Sequence, residues 1–298
     1  MPGGLLYLYR TQAMYSIPTI REKVVALCES KGIKSEKVRQ DIAAHLVLLA
    51  LEHGGDPFTT LSLLEDSSNL TPITVISENF RKPIRDLISD TLNSDTIFPH
   101  LFERLIYMVD RSIGVGEVAL PFILADYSFS YTNGDGKHPL GTTELKKDNS
   151  SLKCLKGGIT EKGLVDKLNL KYFKGTALGM QNKKMFQAHV DAVTDPSVYH
   201  AYFTELYPGV DVQQLAEDVA ATYADREEVN NVLGRFALRR YKSIDGWYNL
   251  LYLIPETMEV VNVTDPNDID GLGMIFHPRY KRGGCTQALA DGYVDVKF

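Results

Sequence analysis

Acidic and basic side chains with short, regular spacing lie in the middle third of the chain. Glu117 ends a Gly-x-Gly-Glu sequence, and Glu144 lies in a strand candidate. Lys156 ends the next strand candidate, with Cys154 two residues before it. Because alternate residues of a strand share a face, Cys154 and Lys156 are expected to project together. Carboxylates beside a lysine suit the binding of a hard divalent cation and chemistry on a phosphate group.

The two strand candidates, 142–147 and 152–156, are separated by the turn-forming sequence Asp-Asn-Ser-Ser. This spacing predicts a β-hairpin. A hairpin centred on Asn149 would set Glu144 directly opposite Cys154 on the same face. A centre half a residue later would turn Glu144 away, so the sequence leaves the register open.

A second alignment takes Glu144-Leu-Lys146 as the acid–x–lysine pair. Asp135, in a glycine-rich segment, is then the preceding acid, and Glu117 lies behind it. This alignment completes a set of two carboxylates and a lysine without Cys154.

The order of these motifs resembles the PD-(D/E)xK nuclease superfamily, particularly the version encoded by tailed bacteriophages. The matching segments are Gly114–Glu117, Gly141–Leu145 and Leu152–Gly157. The resemblance implies that two acids bind Mg²⁺ and that the lysine helps to place and polarise the attacking water. In the first alignment Cys154 replaces an acid, and a thiol is a poor ligand for Mg²⁺. A nuclease-like fold with a damaged catalytic site is therefore expected from this alignment.

The candidate catalytic residues follow from the two alignments. The first gives Glu117, Glu144 and Lys156, with Glu117 and Glu144 as metal ligands if the protein is active. The second gives Asp135, Glu144 and Lys146. The first predicts a structural or assembly component of a tailed-phage particle that needs no cofactor. Its expected partners are other phage structural proteins, with a homo-oligomer as one arrangement. The alternative is a Mg²⁺-dependent DNA endonuclease, for which DNA is the partner.

Basic residues are concentrated in two places. Between residues 144 and 174 there are eight lysines against four acids, a local charge of +4 in a chain of −6. A second basic loop follows Pro278 and includes an aromatic residue. Such surfaces suit contacts with phosphate groups or with an acidic protein. The candidate contact residues are Lys146, Lys147, Lys153, Arg279, Lys281 and Arg282.

Composition limits the class of protein. The 298 residues are 44% hydrophobic and 23% charged, which is typical of a globular chain. The three cysteines are far apart and form no zinc motif. The N-terminal segment does not match a signal peptide, and no apolar run has the length of a membrane span. We expect a location in the virion or the host cytoplasm, without membrane association.

The apolar periodicity predicts an α+β protein. Residues 1–110 form the predicted helical region, with four helices that start near residues 19, 35, 77 and 99. Residues 111–298 form the predicted mixed-sheet, restriction-endonuclease-like α/β core, which contains a helical insertion at about 175–240. A buried helix is expected from Gly114, and a hairpin from Tyr248–Ile254 and Met258–Val263.

Overall fold

The computed structural model describes residues 17–132, 134–154, 164–172, 195–223, 225–278 and 293–298. The chain divides into two compact units. The first combines Met1–Lys147 with Trp247–Thr264, and the second combines Asp148–Gly246 with Asp265–Phe298. Neither unit begins at residue 111, where the sequence analysis puts its boundary. The α+β class and the helical N-terminal region are confirmed.

Helices dominate the N-terminal part of the first unit. Their bounds are α1 Ile17–Ser30, α2 Glu36–His53, α3 Pro57–Glu65, α4 Asp90–Asn93 and α5 Phe98–Ile106. Side chains cap three of them: the Ser35 hydroxyl accepts from the N–H of Val38, the Asp56 carboxylate caps α3, and the Ser89 hydroxyl caps α4. The buried faces of these helices pack with apolar sheet residues, such as Leu145 and Leu251, in one core.

The predicted helix that starts near residue 77 is wrong. The chain there forms strand β1, Phe80–Pro83, and a single 3-10 turn, Ile84–Leu87. Pro83 is the cause, because a proline has no N–H to donate and restricts the preceding residue to an extended conformation.

A mixed sheet of six strands forms the rest of the first unit, in the order β1-β7-β6-β4-β3-β2. The further strands are β2 Ser128–Phe129, β3 Gly136–His138, β4 Gly141–Lys147, β6 Asn249–Ile254 and β7 Glu259–Val263. Strands β4 and β6 are parallel, and all other pairs are antiparallel. The predicted hairpin near the end of the chain is confirmed as β6 and β7.

The predicted buried helix from Gly114 is also wrong in its conformation. Residues 115–119 form turns, and only Leu120–Phe122 is helical, as a 3-10 turn. Gly116 has a φ of +85°, which ends any helix at that point, and Pro121 removes another N–H donor. The segment is nevertheless buried as expected, from Val118 onward.

The second unit has a three-stranded antiparallel sheet in the order β5-β9-β8. Its strands are β5 Ser151–Lys153, β8 Ile275–Pro278 and β9 Tyr293–Lys297. Its described helices are α6 Leu164–Tyr172, α7 Pro196–Leu206, α8 Gln213–Thr222 and α9 Arg226–Asp245. Most of residues 195–240 is thus helical, and 175–194 lies outside the described residues. Among the described helices of both units, none has the length and apolar character that crossing a membrane requires.

Candidate functional site

Asp135 is fastened to strand β4 by two hydrogen bonds. Its backbone N–H donates to the carbonyl oxygen of Thr143 at 2.8 Å, and its carboxylate Oδ2 accepts from the N–H of Leu145 at 2.7 Å. The turn before it needs a glycine, because Gly134 has a φ of +64° and a Cβ there would lie 2.7 Å from the Thr143 carbonyl oxygen. The two bonds hold the Asp135 carboxylate beside Glu144, the residue between Thr143 and Leu145.

Glu144 and Lys146 lie two residues apart on β4 and therefore share one face of the sheet. The Lys146 ammonium donates to Glu144 Oε1 at 2.6 Å. The Lys146 side chain is only 22% exposed and the Glu144 side chain only 16%, so the ion pair is partly shielded from water. The structure thus brings together Asp135, Glu144 and Lys146, the set that the second alignment names.

Glu117 belongs to the same electrostatic group. Burial raises its pKa to about 7, and the negative charges of Asp135 and Glu144 add to this rise. A hydrogen bond from the Gly114 backbone and the charge of Lys146 oppose it. The pKa of Asp135 is also raised, first by burial and then by Glu144. Burial is the main cause of both rises, and the neighbouring negative charge, which Lys146 only partly offsets, adds to them.

Two buried tyrosines adjoin this acidic group, and the sequence analysis missed both. Burial raises the pKa of Tyr127 far above its usual value, and the charges of Asp135, Glu117 and Glu144 contribute. Burial likewise raises the pKa of Tyr252, with a contribution from Glu144. Neither tyrosine lies in a motif, since the sheet brings them to the site from separate segments.

The first alignment fails at the strand pairing. Strand β4 pairs with β3 through residues 141–143 and with β6 through residues 143–147, and β5 is not one of its partners. Strand β5 pairs with β9 in the sheet of the second unit. The predicted hairpin, and with it the pairing of Glu144 with Cys154, is therefore wrong. Cys154 is fully buried in the second unit, and Lys156 lies outside the described residues.

The predicted contact residues are distributed over different environments. Lys146 is engaged with Glu144. Lys147 is exposed at the end of β4 in the first unit, and Lys153 is exposed on β5 in the second. The basic loop with Arg279, Lys281 and Arg282 lies outside the described residues.

The donor chemistry of the site fits a hard divalent cation. Asp135 and Glu144 offer carboxylate oxygens, and Mg²⁺ is usually bound by one or two carboxylates together with waters and substrate phosphates. In the part of the chain that the structure describes, no group of three or more His, Cys, Asp or Glu side chains converges around one metal position. A Mg²⁺ ion at this site would therefore rest on Asp135 and Glu144, with Glu117 nearby.

The fold and the site together define an α+β protein with an acid–x–lysine pair on strand β4 of its mixed sheet and a further acid directly before the adjacent strand β3. Comparisons with protein-family models, with curated proteins and with solved structures found no match.

Proposed function

We propose that this protein hydrolyses phosphodiester bonds in DNA with the help of Mg²⁺. One observation carries the proposal: the carboxylate of Asp135 accepts a hydrogen bond from the amide that lies between Glu144 and Lys146. Two hard oxygen donors and a cationic nitrogen are thus held together on β4 and the turn bonded to it, which suits phosphoryl chemistry.

The negative charge of the site supports the same proposal. Three carboxylates, Glu117, Asp135 and Glu144, act on one another electrostatically with one lysine among them. A divalent cation would offset the charge that raises the pKa of Glu117 and Asp135. When bound, Mg²⁺ supplies Lewis-acid polarisation of a phosphate oxygen.

The side chains of the protein would then have separate tasks. Asp135 and Glu144 hold the cation, and the Asp135 position is fixed by its two hydrogen bonds to β4. The Lys146 ammonium, held by Glu144, offers N–H donors to a phosphate oxygen or to the attacking water. Its partial burial strengthens this attraction, because fewer waters compete for the ammonium.

The role in particle assembly stays a prediction of the sequence. It rested on the Cys154 alignment, which needed a hairpin of β4 and β5. The phage origin, the location in the virion or host cytoplasm and the contacts with other phage proteins rest on the family resemblance alone.

Nicking of supercoiled plasmid in Mg²⁺ or Mn²⁺ tests the proposal. The variants are Asp135→Asn, Glu144→Gln and Lys146→Met. We expect each to lower the cleavage rate by about a hundredfold or more, since each removes one electrostatic partner of the reacting phosphate. The matched control is Glu259→Gln, which breaks a 2.8 Å ion pair with Arg81 on the same sheet without altering these carboxylates.

Cleavage that survives unchanged in Asp135→Asn and Glu144→Gln would overturn the assignment of these residues. The same holds for cleavage that falls equally in Glu259→Gln, because a general loss of folded protein would then explain every variant. Circular dichroism of each variant, recorded at the assay temperature, separates the two cases.

A further inference from the structure

A chain of buried polar side chains crosses the six-stranded sheet beside the candidate site. The Thr143 hydroxyl on β4 donates to Asn249 Oδ1 on β6 at 2.7 Å. The Asn249 amide donates to Asn262 Oδ1 on β7 at 2.8 Å. All three side chains are fully buried. Buried polar groups are costly unless they are bonded, so their presence in an apolar sheet calls for a reason.

The Asn262 end of this chain of side chains fixes the direction of every hydrogen bond in it. The Asn262 amide nitrogen donates to the backbone carbonyls of Ile76 and Glu78, at 3.0 and 2.6 Å, and a carbonyl can only accept. The Asn262 oxygen must therefore accept from Asn249. Asn249 Oδ1 is then free of any donor role and accepts the single proton of the Thr143 hydroxyl.

These hydrogen-bonded side chains lie on the face of the sheet opposite to Glu144 and Lys146. Side chains alternate along β4, so the Thr143 hydroxyl points to the opposite face from Glu144 and Lys146. The backbone carbonyl of the same Thr143 accepts the N–H of Asp135. The Thr143 side chain is thus hydrogen-bonded on one face of the sheet, while the Thr143 backbone holds Asp135, which belongs to the candidate site.

We propose that Thr143 and Asn249 are positioning residues of the phosphodiesterase site, an inference that rests on the proposed function. Because every member of the chain has its partner, β4 has a single well-bonded position relative to β6 and β7. Removal of the Thr143 hydroxyl leaves the buried Asn249 Oδ1 without its donor. The strand then gains freedom to shift, and a shift of about 1 Å at a catalytic group costs about a hundredfold in rate.

The test compares Thr143→Val with Thr143→Ser in the plasmid-nicking assay. Valine keeps the shape and removes the hydroxyl, whereas serine keeps the hydroxyl. We expect Thr143→Val to lower kcat by about ten- to a hundredfold with little change in KM, and Thr143→Ser to retain most of the activity. The matched control is Thr60→Val, which removes another fully buried hydroxyl, bonded at 2.9 Å to Asp95 among the N-terminal helices. We expect it to leave kcat unchanged.

A second measurement does not depend on activity. Hydrogen exchange of the peptide that contains β4 reports the Leu145 amide, which is bonded to Asp135. We expect the Leu145 amide to exchange faster in Thr143→Val than in the wild type, and at the wild-type rate in Thr60→Val. If the wild type does not cleave DNA, the proposed function fails and the exchange result still decides the positioning claim. Wild-type kcat and wild-type exchange in Thr143→Val would overturn the inference and leave the proposed function intact.

If Thr143→Val does not fold, Thr143→Cys replaces it, because its thiol keeps only a weak donor at the position of the hydroxyl. We expect it to lower kcat by about tenfold. The positioning role would also be refuted if kcat were unchanged in this variant while Thr143→Ser and Thr60→Val lowered kcat equally.

Discussion

Replacement of Glu117 by glutamine should stabilise the metal-free protein, and the gain should grow with pH. Burial and the neighbouring carboxylates raise the pKa of Glu117 from 4.5 to about 7 in the folded state. A group whose pKa is raised by folding costs no stability while it is protonated in both states. Its cost develops as pH rises above the unfolded value of 4.5 and is complete above about 7. Glutamine cannot ionise, and its oxygen can still accept from Gly114.

The size of the effect follows from the pKa. Each pKa unit corresponds to about 1.4 kcal/mol, so the rise corresponds to about 3 kcal/mol for a fully desolvated group. Glu117 is only half-buried, and solvent screening reduces this figure to about 1–2 kcal/mol. We therefore expect the Glu117→Gln variant to gain about 1–2 kcal/mol in unfolding free energy between about pH 5 and about pH 8.5, relative to the wild type.

Urea unfolding in EDTA at the two pH values measures this gain. Glu259→Gln serves as a control with the opposite sign, because the hydrogen bond from Arg81 lowers the pKa of Glu259. Its ion pair contributes stability above the unfolded pKa of 4.5 and loses it only below that value, so Glu259→Gln should be weakened about equally at both pH values. If the gain in unfolding free energy of Glu117→Gln is the same at both pH values, the explanation of the raised pKa by burial and neighbouring carboxylates is refuted.

Three further predictions concern the packing inside each unit. Gly116→Ala should destabilise the protein by about 1–2 kcal/mol in urea unfolding, since its φ of +85° strains any other residue and the new Cβ would lie 3.0 Å from Leu253. Gly234→Ala should cost about 1–3 kcal/mol by the same measurement, because its Cβ would overlap the ring of Phe276. Cys28 is buried and its pKa is raised to about 12, so iodoacetamide should modify it only after unfolding, as peptide mass spectrometry would report. Modification of native Cys28 would contradict its burial.

The elements that the sequence predicts well are those with a strong local pattern. The helices α1, α2 and α5 follow their apolar spacing, with Ser35 capping α2, and β6 and β7 follow their apolar runs. The acid–x–lysine pair of Glu144 and Lys146 is also local, because a strand automatically puts residues two apart on one face.

Non-local pairing accounts for the failures. The short segment between β4 and β5 reads as a hairpin turn, but β4 pairs with β3, which directly precedes it, and with the distant strand β6, while β5 pairs with the distant strand β9. Tyr127 could not be found because no local pattern links it to the acids. Asn249 and Asn262 do leave a signal, since each is a polar residue next to or within an apolar strand run. A buried asparagine in such a run indicates a specific hydrogen-bond partner.

The most direct test of the central claim is the incubation of the wild-type protein with supercoiled plasmid in Mg²⁺, with a parallel sample in EDTA. The account predicts nicked circles in Mg²⁺ and none in EDTA, because Asp135 and Glu144 need the cation to act on the phosphate. Plasmid that stays supercoiled with Mg²⁺ and with Mn²⁺, while circular dichroism reports folded protein, would contradict it.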